Sequence, residues 1–305
     1  MQKIIPHLWF DKEAINAAHF YASVFPDSKV KFTGKLHSTP SGDVDMLAFD
    51  VFGMEIQAIN AGPYFKMNPS ISFMINFDPS KDTNARKNID EIWEKLSAGG
   101  KVLMPLDKYP FSERYGWIED KYGVTWQLIY TNPDGEERPR IIPSLLFTQN
   151  AYGKAEEASQ YYLSVFKDSK GGAQRGALAK YETDMGPNKQ GTTMFTDFKL
   201  AGQWFVAMDG GGEHAFTFNE GISFIISCET QEEMDYFTEK LSAVPESEQC
   251  GWVKDKFGVS WQIVPKIMDE VMRSGNQAKI DRVTNAFMPM KRLNMAALER
   301  AAEGK

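Results

Sequence analysis

The sequence GWIEDKYGVTWQL at Gly116–Leu128 returns 135 residues later as GWVKDKFGVSWQI at Gly251–Ile263. Three shorter blocks repeat in the same order along the chain: Ile5–Phe10 returns at Ile142–Phe147, Phe20–Lys29 at Tyr161–Lys170, and Ser70–Ile75 at Gly221–Ile226. Four blocks that keep their order while their separation changes indicate a duplicated domain with altered loop lengths.

The repeat predicts the domain organisation of the 305-residue chain, which is long enough for two domains of ordinary size. We place the first copy at residues 1–131 and the second at 141–265. The connecting segment 132–140 is rich in charge and turn-forming residues, which is typical of a linker. Residues 266–305 lie outside the repeat. Their apolar spacing predicts two or three short amphipathic helices that cover a domain or a sheet surface, with a partner-binding tail as the alternative.

Within each copy, strand and helix patterns alternate twice. The apolar run Ile4–Phe10 predicts a strand, and helical spacing from Ala14 to Phe25 predicts a helix that ends at Pro26. Alternating strands follow, and the same pattern starts again at Ser70. Each copy therefore reads as two βαβββ modules of an α+β fold. A sheet built from two such modules can curl into an open half-barrel whose cleft is the default binding site.

Composition and charge exclude several classes of function. The formal net charge of −7 disfavours nucleic acid as a partner. We also expect no membrane partner, because no apolar run approaches the length of a bilayer span. The two cysteines read as reduced thiols of a cytoplasmic protein. The expected partner is a small molecule, and the duplication is compatible with a monomer or a homodimer.

Three segments carry a family resemblance: the opening Phe10–Phe25, the run Cys250–Pro265, and the ending Met290–Glu299. They resemble the PhnB-like branch of the glyoxalase/bleomycin-resistance (vicinal oxygen chelate) superfamily, a branch often labelled 3-demethylubiquinone-9 3-methyltransferase. The resemblance covers nearly the whole chain and implies two tandem glyoxalase-like domains followed by C-terminal helices. It implies no single activity, because the superfamily hosts lyases, dioxygenases, epoxide-opening enzymes and drug-sequestering proteins.

The resemblance also implies where a metal would bind, since metal enzymes of the superfamily place His or Glu ligands on four inward strand positions. Carried over, these positions fall in the first copy at His7, Gln57 (or Glu55), Ser72 and Gln127, and in the second at Ser144, Val206, Ser223 and Gln262. Neutral amides and hydroxyls are weak donors for zinc, nickel or iron. We therefore predict no metal site and no cofactor, with a weakly held divalent ion at His7 as the alternative.

The remaining candidate residues are polar or aromatic groups that could orient a ligand. The predicted ligand-binding set is Gln57, Ser72, Arg114, Trp117, Gln127, Ser144, Ser223, Trp252 and Gln262. Arg114 ends an insertion, Lys101–Arg114, which could form a lid over a cleft; the alternative is a surface loop packed by its own aromatic residues. For most of the tryptophans the alternative role is core filling.

His7 and Cys250 are the catalytic candidates. A nucleophilic cysteine needs a neighbouring base or cation to lower its pKa, and no histidine adjoins Cys250 in the sequence.

Three functions stay open. The first is a binding module without metal; the second is an enzyme of this superfamily, either a metal-dependent lyase or dioxygenase that uses His7 or the labelled methyltransferase; the third is an interaction scaffold. Methyl transfer from S-adenosylmethionine usually uses a parallel doubly wound sheet with a Gly-rich turn leading into a helix. Gly210-Gly211-Gly212 follows a predicted strand, but no helix pattern opens there.

Overall fold

The computed structural model describes residues 2–305 as four consecutive modules and a helical tail. The first module contains β1 (Ile4–Phe10), α1 (Ala14–Val24), β2 (Lys29–Thr39), β3 (Gly42–Val51) and β4 (Met54–Asn60). The second contains β5 (Ile71–Phe77), α2 (Ala85–Ser97), β6 (Lys101–Tyr109), β7 (Ser112–Glu119) and β8 (Thr125–Tyr130). The third contains β9 (Ile141–Phe147), α3 (Ala155–Val165), β10 (Ala173–Lys180), β11 (Thr193–Leu200) and β12 (Gln203–Asp209). The fourth contains β13 (Ile222–Cys228), α4 (Gln231–Leu241), β14 (Trp252–Lys254) and β15 (Ser260–Pro265). The tail contains α5 (Lys266–Met272), α6 (Gln277–Phe287) and α7 (Met295–Glu303).

The modules combine into two mixed sheets, one in each of two compact units. Unit 1 comprises the chain up to Ala22, Ser28–Met67 and Asn219–Lys305. Its seven-stranded sheet has the order β14-β15-β13-β1-β4-β3-β2. Unit 2 comprises Ser23–Asp27 and Asn68–Phe218, and its eight-stranded sheet has the order β10-β11-β12-β9-β5-β8-β7-β6.

The sheets correct one expectation from the repeat. We expected the two modules of each sequence copy to share a sheet. Instead, the first module joins the fourth through the antiparallel pair β1 and β13, and the second joins the third through β5 and β9. Each sheet therefore takes one module from each sequence copy, and a compact unit is not a contiguous half of the chain.

The repeated segment forms the same turn in both units, and a carboxylate explains its sequence. Asp120 Oδ1 accepts the backbone N–H groups of Tyr122 and Val124, and its Oδ2 accepts the Trp126 indole N–H at 2.7 Å. Gly123 adopts a φ of +85°, which glycine tolerates without strain. Trp126 is fully buried, so the core role holds for it. In unit 1 Asp255 organises the equivalent turn around the equally buried tryptophan of β15.

The tail forms three helices that belong to unit 1, within the predicted number. Side chains of Asn276 and Asn294 cap α6 and α7 by accepting backbone N–H groups at 3.1 and 2.9 Å. Val283, Phe287 and Leu298 are buried, as the amphipathic spacing predicts. None of the helices within residues 2–305 combines the length and apolar character needed to cross a membrane.

The insertion Lys101–Arg114 is not a loop but a β-hairpin formed by β6 and the start of β7. At its tip Tyr109 stacks on Phe111, and Phe111 meets Tyr115 edge to face, with centroid distances of 5.7 and 5.0 Å. Phe111 itself remains 61% exposed. The hairpin is therefore packed by its own aromatic residues, which was the alternative to a lid.

Candidate functional site

Unit 1 contains a cavity of about 630 Å³ between its sheet and the helical tail. The sheet contributes inward side chains of β1, β4, β14 and β15, including His7, Gln57, Trp252 and Gln262. The tail closes the opposite side through these residues: Met268, Asp269, Met272, Arg273, Phe287 and Met288. Its size is that of a small-molecule site, and the lining is predominantly apolar.

His7 is the histidine of this cavity, and its imidazole is only 7% exposed. Burial removes water from the ring and lowers its pKa to about 4, so the imidazole is neutral at physiological pH. Its Nδ1 is buried and has no hydrogen-bond partner among residues 2–305. The Trp252 indole lies at a centroid distance of 5.8 Å from the ring in edge-to-face geometry. A neutral imidazole with an unpartnered nitrogen is a polar group that a ligand could satisfy.

Strand register brings the inward polar residues of unit 1 together. His7 lies beside Gln57 in the parallel pair β1–β4 and opposite Ser223 in the antiparallel pair β1–β13. Gln262 donates from Nε2 to Ser223 Oγ at 3.0 Å. The register thus settles the alternative at the second position in favour of Gln57. Glu55 binds Arg273 and Lys31 instead.

The first tail helix, α5, contacts the sheet through hydrogen bonds and ion pairs at the cavity wall. Asp269 Oδ1 accepts from Gln57 Nε2 at 3.1 Å, and Asp269 Oδ2 accepts from Arg273 Nε at 2.8 Å. Arg273 also reaches Glu55 Oε1 at 2.5 Å. The sequence pattern does not indicate this part of the site. The spacing of Asp269 and Arg273 could have indicated an ion pair within one helix, but not that both residues line a cavity.

Aromatic rings form one end of the same cavity. Trp9 meets Phe65 edge to face at 5.0 Å and Trp252 at 6.2 Å. The Trp9 indole N–H is held by Gly62 O at 2.8 Å, which fixes the ring. These rings offer a large apolar contact area with specific edges and faces.

Cys250 lines the cavity but lacks the surroundings of an activated thiol. Burial raises its pKa above the usual value, which disfavours the thiolate nucleophile. Its Sγ lies 3.4 Å from the backbone oxygen of Met288 and from Gln249 Nε2. Cys228, the other cysteine, is fully buried.

In unit 2 the equivalent inward positions satisfy one another. Gln127 Nε2 donates to Ser72 Oγ at 2.7 Å and to Ser144 Oγ at 3.2 Å. Gln127 Oε1 accepts from the Tyr115 hydroxyl at 2.8 Å. All four residues are buried. This closed network leaves few polar groups for a ligand, in contrast to the unpartnered His7 of unit 1.

The rest of the inner face of unit 2 is apolar and partly covered by the linker. Val206, opposite Ser144 in the register, packs with Met74 and Ile142 in a buried cluster. Arg138 of the linker lies 4.0 Å over the Trp204 ring and binds Asp197 at 2.6 Å. This face therefore presents a packed surface.

Two predicted ligand-binding residues of unit 2 have other surroundings. Arg114 pairs with Asp90 of α2 at 2.6 Å and so faces the helix, whereas a lid role required it to face the cleft. Trp117 lies opposite Gln127 in the β7–β8 register, and its indole nitrogen is buried without a partner among the described residues.

The grouping of the predicted positions must also be corrected. We expected His7, Gln57, Ser72 and Gln127 to share one cleft. The structure instead places His7 and Gln57 with Ser223 and Gln262 in unit 1, and Ser72 and Gln127 with Ser144 and Val206 in unit 2. The predicted grouping is wrong because the first module shares a sheet with the fourth, and the second shares a sheet with the third.

The donors do not fit the metal that the superfamily implies. The four inward positions of unit 1 supply one imidazole, two neutral amide oxygens and one hydroxyl, from His7, Gln57, Gln262 and Ser223. Across the described chain, no group of three or more His, Cys, Asp or Glu side chains is arranged to hold a metal ion. Borderline divalent ions require stronger donors.

In each sheet two modules join edge to edge through their first strands, which gives an α+β architecture of paired modules. More narrowly, the chain belongs to the family described as 3-demethylubiquinone-9 3-methyltransferase, whose model matches residues 2–129 and 139–264. The two matched segments coincide with the two sequence copies. None of the curated proteins matches the chain.

Several solved structures are similar to this chain. A PhnB protein from Bacillus cereus is 31% identical, with 43% of this chain and 100% of that chain covered and a TM-score of 0.38. Glyoxalase I from Zea mays is 11% identical, with 78% and 80% covered and a TM-score of 0.45. The fosfomycin resistance protein FosX from Listeria monocytogenes is 12% identical, with 40% and 88% covered and a TM-score of 0.31.

The described residues lack the architecture that usually binds S-adenosylmethionine, the methyl donor that the family description implies. Both sheets are mixed rather than parallel and doubly wound. The Gly-rich segment after β12 leads to β13 without a helix, and the Gly211 N–H is already held by Asn188 Oδ1 at 2.8 Å. The described residues thus lack the turn that would receive the donor's charged end.

Proposed function

We propose that this protein is a binding module whose first unit holds a small organic molecule in its cavity without a strong metal site. The observation that carries the proposal is the cavity of about 630 Å³, with aromatic and aliphatic walls and a buried, unpartnered imidazole nitrogen. Such a combination of apolar volume and a few polar groups is typical of ligand sites.

The contrast between the units supports the assignment to unit 1. The polar groups of unit 2 form a closed network, whereas His7 Nδ1 in unit 1 has no partner among the described residues. The His7 ring, which lines the cavity, therefore lies outside the hydrogen-bond networks formed by the described residues.

The test uses a neutral apolar dye, Nile red, whose fluorescence rises in an apolar site. Val264 lines the cavity on β15, so Val264→Trp should fill it and abolish saturable binding. Ile129 holds the matching place on β8 of unit 2, and Ile129→Trp is the control, expected to bind as the wild type does. Equal binding by wild type and Val264→Trp would refute the proposal.

An enzyme that uses His7 is the second candidate, favoured by the presence of an imidazole inside the cavity. Its low pKa makes it a weak base at neutral pH, which favours binding over general-base catalysis. Elemental analysis separates the two. Stoichiometric zinc, nickel, manganese or iron that is lost in His7→Ala would support the metal-dependent enzyme, and an interaction scaffold would show neither metal nor dye binding.

A further inference from the structure

The charged residues that line the cavity of unit 1 are mostly acidic. Glu220, Glu246 and Asp269 contribute carboxylates, and Arg273 contributes the single basic side chain of the lining within residues 2–305. An apolar cavity with this charge pattern disfavours an anionic ligand by like-charge repulsion.

The carboxylates differ in how far basic side chains neutralise their negative charge. Glu220 is paired with Lys254 at 2.6 Å. Arg273 is paired with both Asp269 and Glu55, and Glu55 is also paired with Lys31. Glu246 is exposed and forms no ion pair with any residue of the described chain. Glu246 is therefore the lining carboxylate whose negative charge is left uncompensated within the described chain.

The uncharged lining includes a hydrogen-bond acceptor and several ring faces that suit a cation. Gln57 gives its Nε2 to a carboxylate, which can only accept, so its Oε1 is the acceptor that remains. The neutral His7 ring adds no positive charge, and its buried Nδ1 lacks a partner among residues 2–305. Aromatic rings at Trp9, Phe65 and Trp252 attract cations electrostatically.

From these observations we infer that the cavity selects an organic cation, namely an amine or ammonium group attached to an apolar body. The inference deepens the proposed function and depends on it. An apolar body fills the volume beside the methionines of the tail, and the cationic end lies against carboxylates and ring faces. The same lining offers an organic acid a single guanidinium that is already shared.

The experiment compares three ligands with one apolar body: 1-adamantylmethylammonium, 1-adamantylmethanol and 1-adamantanecarboxylate. Isothermal titration calorimetry of the full chain at low salt should show the cation binding about tenfold more tightly than the alcohol, and the carboxylate binding most weakly. Raising the salt concentration should reduce the advantage of the cation.

A variant tests the charge directly. Glu246→Gln should weaken binding of the cation about threefold and leave the alcohol unchanged, because an exposed carboxylate contributes a modest attraction. Glu239→Gln, which removes an exposed carboxylate of α4 that does not line the cavity, is the control and should change neither affinity.

The outcomes separate the two proposals. Equal binding of cation and alcohol by the wild type, or tighter binding of the carboxylate, would overturn the cation inference and leave the binding module standing. Equal weakening of cation and alcohol in Glu246→Gln would also overturn it. If none of the three ligands bound while Nile red did, the cation inference would fail and the binding module would stand; if Nile red did not bind either, both would fail.

Discussion

Replacing His7 with leucine should remove a specific pH dependence of stability. In the folded chain the His7 pKa is lowered to about 4, whereas an imidazole in an unfolded chain titrates near 6.5. As the pH falls below 6.5, the unfolded chain takes up a proton that the folded chain does not, so stability is lost. From these two values, His7 should cost the wild type about 2 kcal/mol between pH 7.5 and pH 5.

The assay is urea unfolding followed by circular dichroism at the two pH values. His7→Leu keeps a side chain of similar size and removes the unpartnered Nδ1, so its stability at pH 7.5 should lie within about 1 kcal/mol of the wild type. Other titrating groups affect both proteins and cancel in the difference. His19→Gln, which removes an exposed histidine of α1, is the control for losing a histidine. Wild type and His7→Leu that lose the same stability between pH 7.5 and pH 5 would refute the reasoning.

Three further predictions concern the polar contacts of the two units. Gln127→Leu should lower the free energy of unfolding in urea by about 2–3 kcal/mol, because it leaves three buried hydroxyls without their partner. Gln262→Leu breaks one such contact and should cost about 1 kcal/mol. Equal costs for the two variants would contradict the difference between the units. Trp261→Phe should cost about 2–3 kcal/mol in the same assay because it removes buried volume and the indole bond to Asp255; a neutral effect would show that the turn does not depend on that bond. Asp269→Ala should increase amide hydrogen exchange in α5 and leave exchange in the strands of unit 2 unchanged. Unaltered exchange in α5 would show that the hydrogen bonds of Asp269 to Gln57 and Arg273 do not stabilise this helix.

Much of the local structure could be predicted because it depends on neighbours in the sequence. The turn around Asp120 and Gly123 follows from residues a few positions apart. The loop predicted for the insertion before β7 is wrong. Pairing with β7 makes it a strand, and pairing is not visible in a single segment.

The hydrogen-bond and ion-pair partners of the candidate residues could not be predicted in the same way. Gln57 and Gln262 were recognised as inward amides, but their partners Asp269 and Ser223 lie far away in the chain. Likewise, Arg114 was assigned to a cleft, although the alternation of β7 turns it toward Asp90 on the helix side. Contacts at long sequence separation leave no periodic signal.

The sequence alone predicts the duplication, the α+β modules and the helical tail, because each depends on residue type and local spacing. The neutral chemistry of the inward positions follows from the family resemblance together with the residues found there. The tertiary structure alone decides which modules share a sheet. The first strands β1 and β9 have nearly the same apolar sequence, so local pattern does not distinguish β13 from β5 as the partner of either. That choice assembles His7, Gln57 and Gln262 beneath the tail helices, and it separates the open cavity of unit 1 from the closed polar network of unit 2.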